Sequence, residues 1–110
     1  MRGKMYWVVS YDIPDNKRRT KVAKILEGYG QRAQYSVFEC EIDAEQCAQL
    51  EERLKRVIEA QEDDVRFYPL NRADLKRVRV LGVGQIYRTG SYYMIRSKIA
   101  PPDDDPSHPF

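Results

Sequence analysis

Residues 5–12, MYWVVSYD, are rich in β-branched and aromatic side chains, with a proline two residues beyond. An apolar run without alternation marks a strand covered on both faces, so a central strand ending near Asp12 is predicted. In the following segment Val22, Ile25, Leu26 and Tyr29 recur at helical spacing, Asp15 or Asn16 is placed to cap the start, and Gly28 and Gly30 mark the end. Residues 33–42 switch to a period of two: Tyr35, Val37, Glu39 and Glu41 face one way, and Ser36, Phe38, Cys40 and Ile42 the other. This reads as one strand, or as two short ones divided at Ser36. Asp43 with Gln46 forms a capping pair for a second helix, whose stripe of Leu50, Leu54, Val57, Ile58 and Gln61 runs to about residue 61. DVRFYPL at 64–70 is a strand that Pro69 confines to an edge or a strand end. Three brief strand candidates parted by glycines follow at 77–82, 86–88 and 92–95.

The order β, α, β (one or two), α, β predicts an α+β, ferredoxin-like βαββαβ sandwich with both helices on one face, plus extra strand material at the C-terminal end. No internal repeat or linker divides residues 1–96, which are expected to form a single domain with residues 1–4 as an N-terminal extension. Residues 97–110, ending in PPDDDPSHPF, read as a flexible acidic tail.

At 110 residues the chain supports one modest core. Its apolar runs fall far short of the about 20 residues of a membrane span, and the first residues lack a signal peptide's apolar region, so no membrane association and a cytoplasmic location are expected. Cys40 and Cys47 form no CxxC pair and are expected as free structural thiols. The single histidine, His108, lies in the tail. Histidine-based triads, acid/base pairs and zinc sites therefore lack material, and any catalysis falls to carboxylates with a hard metal ion.

The net charge of +2 conceals segregation. Residues 16–34 carry Lys17, Arg18, Arg19, Lys21, Lys24 and Arg32 against Glu27; residues 39–64 carry ten acids against three bases; residues 65–79 carry five bases against Asp74. A positive lobe of this kind suits a phosphate backbone, and two oppositely charged helix faces that pair with each other suit the same numbers.

The informative unit is YDIPD at 11–15 running into NKRRTK. Asp12, rigidly held where a buried strand ends, is a candidate ligand for a hard cation, and a turn or helix cap is the alternative use of such a residue. Asp15 reads as the cap. Arg18 and Arg19 occupy a helix's first turn, against the macrodipole's preference, which points to another use for them, met by an anionic partner.

The strand ending in YDI, the stretch RRTKVAKILEGYGQRAQYSVFEC at 18–40, then VRFYPL and VLGVG, together resemble the CRISPR-associated protein 2 family over about residues 5–95. The resemblance implies a ferredoxin-like protomer in a two-fold homodimer whose C-terminal strands extend the partner's sheet. It further implies that Asp12 binds Mg²⁺, with Mn²⁺ as substitute, between protomers and serves as the catalytic residue of a metal-dependent endonuclease. The substrate would be RNA, duplex DNA or both, and the setting spacer acquisition beside the CRISPR integrase subunit. Lys17, Arg18, Arg19 and Arg32 would steer nucleic acid, with Tyr11, Ser36 and Phe38 supporting the site; Phe38 suits core packing equally well. Residues 1–4 and 97–110 depart from the family pattern. A non-catalytic dimeric scaffold bridging integrase subunits uses the same residues and stays open. An RNA-recognition module is disfavoured, because SVFECEI lacks that motif's glycines and flanking base.

Overall fold

A computed structural model describes residues 3–82. The elements are β1 (Met5–Asp12), α1 (Asn16–Glu27), β2 (Gln31–Gln34), β3 (Val37–Ile42), α2 (Ala44–Lys55), β4 (Asp64–Leu70) and a short α3 (Arg72–Leu75). The four strands form an antiparallel sheet in the order β2-β3-β1-β4, which with two crossing helices is the expected ferredoxin-like arrangement. β1 is central, as its unbroken apolar run requires. β4, which carries Pro69, is at the edge.

Alternate residues of β1 serve two faces. Val9 and Tyr11 join Phe38, Cys40 and Ile42 of β3 beneath Val22 and Leu26 of α1 and Leu50 and Leu54 of α2, forming the main core. Trp7 meets Phe67 edge-on at 6.0 Å on this same face. On the opposite, open face, Tyr6 and Leu75 form a second small cluster with Val8, Leu70, Val78 and Val80.

Asp15 caps α1, its carboxylate accepting the Arg18 N–H at 2.9 Å, and Asp43 with Gln46 completes a reciprocal capping box on α2. The division at Ser36 is real, since residues 35 and 36 form the turn between β2 and β3. Gly28 sits at φ −80° and makes no use of glycine's freedom. Gly30 is needed for space: a Cβ there would come within 2.2 Å of the Glu39 carbonyl oxygen.

Two expectations are corrected. α2 ends at Lys55 rather than near 61, because the Arg56, Val57 and Ile58 N–H groups turn back onto Arg53 and Leu54 carbonyls. Val57 and Ile58 still touch the core from the turn, which is why the apolar stripe outlasts the helix. Residues 77–82 are not a strand of the described sheet. Val78 and Val80 do alternate inward, but they pack on the open face instead of pairing at an edge. Residues 72–75 form a short helix, capped by the Asn71 side chain accepting the Asp74 N–H at 2.7 Å. The strand candidates at 86–88 and 92–95 and the tail at 97–110 lie outside the described residues.

Candidate functional site

Asp12 is the last residue of β1 and is exposed, on the open face of the sheet. Its register partner on β4 is Asp64, so two carboxylates lie side by side across adjacent strands. Asp64 is paired at 2.8 Å with Arg66 on its own strand. The spacing of 52 residues hides this juxtaposition from the sequence; only the β1–β4 register reveals it. No group of three or more His, Cys, Asp or Glu side chains suited to a metal occurs among the described residues. The carboxylate oxygens of Asp12 are the donors a hard cation prefers, and the described residues of one chain alone would not complete such an ion's shell.

The two first-turn arginines point in opposite directions. Arg18 reaches the loop before β4, where its Nε and Nη2 donate to the Asp63 carboxylate at 2.7 and 3.0 Å and Nη2 also donates to Glu62 at 3.0 Å. This fork-on-carboxylate geometry is what guanidinium does best. The anion inferred for Arg18 is therefore within its own chain. Arg19 turns back over the β1–α1 loop and donates to the Ile13 carbonyl at 2.8 Å, the Pro14 carbonyl and the Asn16 side chain. These partners are neutral, so Arg19 clamps the loop behind Asp12 with no acidic partner among the described residues.

Lys17, Arg19, Lys21, Lys24 and Arg32 form no salt bridge among the described residues. They border a groove between α1 and the β2–β3 turn, of which the more enclosed part is a cleft of about 260 Å³ lined by Tyr11, Arg19, Lys24, Arg32 and Tyr35 among others. Arg32 lies 5.0 Å over the Phe38 ring, which stacks on Tyr11 at 6.3 Å. Phe38 itself is fully buried, so it belongs to the core and supports the groove from beneath. The Ser36 carbonyl accepts the Tyr11 N–H at 3.1 Å, fixing the turn against the end of β1. Tyr11, Arg19 and Arg32 thus come together at the groove; Asp12 projects to the other face of the sheet, and Arg18 leaves toward β4.

The Arg18 hydrogen bonds hold the Asp63 carboxyl below the usual carboxylate range. A lowered folded-state value contributes stability that is complete above the unfolded value and disappears as pH falls through the folded one. Thermal melts of Asp63→Asn should therefore show a lower midpoint than wild type at pH 7, and the gap should close below about pH 4. A gap that persists at low pH would mean that the loss comes from shape rather than charge.

The family profile described as CRISPR associated protein Cas2 matches residues 5–78. The chain belongs to the Cas2 family. A CRISPR-associated endoribonuclease Cas2 of Synechocystis sp. is 49% identical over 76 residues, covering 69% of this chain and 83% of the relative. A crystal structure of the hypothetical protein TT1823 from Thermus thermophilus matches with a TM-score of 0.70 and 43% identity, over 76% of this chain and 98% of that one. A structure titled as a partial Cas6-RT-Cas1–Cas2 complex contains a chain matching at TM-score 0.63 and 31% identity, over 70% of this chain and 90% of that one. Membership in the Cas2 family thus rests on the same span that builds the ferredoxin-like sheet. No helix among the described residues is long and apolar enough to cross a membrane.

Proposed function

We propose that this protein is a Cas2-family endonuclease acting in the cytoplasm, cleaving phosphodiester bonds of RNA or DNA during spacer acquisition in prokaryotic antiviral defence. The observation that carries this reading is an exposed carboxylate, Asp12, placed at the end of the central strand in a chain whose relative is named an endoribonuclease. Lys17, Arg19, Lys21, Lys24 and Arg32, which form no salt bridge among the described residues, border the α1 groove and suit a polyanion held by its backbone. Asp12 would hold Mg²⁺, with Mn²⁺ as substitute, and the ion when bound supplies a polarised water and neutralises charge on the scissile phosphate. Arg19 keeps the loop beside Asp12 in place, and Lys17, Lys21 and Arg32 draw in the backbone.

The working unit in this reading is a homodimer. β4 is an edge strand of the described sheet and Leu81 is 93% exposed. A second copy laid on the open face would cover the edge, bury Leu81 and bring two Asp12 carboxylates to a shared axis. The integrase subunit as further partner follows the complex in which a related chain is found.

The lack of a three-carboxylate cluster around Asp12 among the described residues favours a second reading, a non-catalytic scaffold that holds duplex DNA between integrase subunits. Incubating purified protein with RNA and with duplex DNA in Mg²⁺ and in EDTA separates the two. Cleavage in Mg²⁺ that EDTA abolishes is expected. Binding without cleavage, weakening steeply with salt by about 0.9 log units per log unit of salt for each phosphate contacted, would establish the scaffold.

A further inference from the structure

Tyr35 stands at the tip of the β2–β3 turn with 59% of its surface exposed, although aromatic side chains of this size are usually covered. Its backbone is held firmly. The Tyr35 carbonyl accepts from the Tyr11 hydroxyl at 3.4 Å and from an Arg32 guanidinium nitrogen, so the turn is anchored from below while the ring points outward. Tyr35 borders both parts of the groove along α1: the narrower cleft with Arg19, Lys24 and Arg32, and the more open part with Lys17 and Lys21. Glu27 is the one acid on this lining among the described residues.

We propose that the cleft between α1 and the β2–β3 turn receives one unpaired nucleotide, its base stacked on Tyr35 and its phosphate held by Arg19, Lys24 and Arg32. The proposal rests on the nucleic-acid reading above and narrows it to single-stranded or splayed substrate at this face. Three features support that form over a duplex. A cleft of about 260 Å³ far exceeds the space of a stray water or two, and so admits a substantial ligand group. A paired, stacked base offers no free face to an aromatic ring, whereas an unpaired one does. Cations alone, without a ring placed between them, would suffice for a backbone lying across the surface. Arg32 is braced on the Phe38 ring, and Arg19 by the Ile13 carbonyl, so the phosphate-binding groups are held in place before the ligand arrives.

The test titrates the whole protein in EDTA with a single-stranded oligonucleotide containing 2-aminopurine and, separately, with a blunt duplex of the same sequence. Tyr35→Ala should weaken single-strand binding about 5-fold or more and remove the fluorescence quenching that stacking produces, while duplex affinity changes less than about 2-fold. Tyr35→Phe should keep both, and circular dichroism verifies that each variant is folded. Equal losses for strand and duplex, or no loss for either, overturn the proposal. The broader reading fails differently: if wild-type protein binds neither nucleic acid, both fail, whereas Mg²⁺-dependent cleavage with Tyr35-independent binding leaves the endonuclease standing and removes only the nucleotide cleft. Tyr35-dependent strand binding without cleavage does the reverse.

Discussion

Asp12→Asn is expected to fold like wild type, bind nucleic acid with nearly unchanged affinity, and lose cleavage in Mg²⁺ by about 100-fold or more. Asn preserves the shape and the hydrogen-bonding capacity of Asp but removes the charge that a hard cation requires. Because Asp12 is exposed, the substitution disturbs no buried contact, and the main core lies on the opposite face of β1. Two companions make the result specific. Asp15→Asn keeps the cap on α1, since the two residues cap about equally well, and should leave cleavage untouched while removing a charge three residues away. Asp64→Asn removes the carboxylate in register with Asp12 and releases Arg66; a partial loss there would add Asp64 to the metal's ligands. If Asp12→Asn still cleaves, or matches Asp15→Asn, the metal assignment is wrong and the scaffold reading takes its place.

The fold was largely legible because its signals are local. Unbroken apolar character in β1, helical spacing through Leu26, alternation from Phe38 to Ile42 and the caps at Asp15 and Asp43 each act within a few residues, and each matches its element. What misled was continuity. Val57 and Ile58 keep a helical stripe going past the end of α2 because a turn holds them on the same core, and Val78 and Val80 alternate like a strand because they cover a sheet face. The site was legible only in part, and the reason is side-chain reach. Arg18 and Arg19 look equivalent in a basic run, yet one extends to Asp63, forty-five residues away, and the other folds back onto Ile13. Similarly, Asp64 owes its position to strand register, which leaves no mark in the neighbouring residues, whereas the turn that exposes Tyr35 was foreshadowed by the division at Ser36.

Phe38→Ala should cost about 3–5 kcal/mol, the largest stability loss of any substitution considered for this chain. The side chain has no exposed surface, sits on β3 opposite Val9 of the central strand, and stacks on Tyr11 while Arg32 lies over its ring. Truncation removes the ring's burial, leaves a cavity under α1 and takes away the platform beneath Arg32 at once. Since domains of this size are stable by only about 5–15 kcal/mol, such a loss consumes much of the total, and a poorly folded protein reveals nothing about chemistry. Phe38→Leu resolves that. Leucine nearly fills the space and should cost less than about 1.5 kcal/mol, but it offers Arg32 no aromatic face. Urea denaturation and nucleic-acid binding measured on both variants then divide the residue's two uses. A stable Phe38→Leu protein with weakened binding shows that the buried ring serves the groove through Arg32, whereas unchanged binding confines Phe38 to the core. A cost below about 1 kcal/mol for Phe38→Ala would contradict its burial at the centre of the sheet.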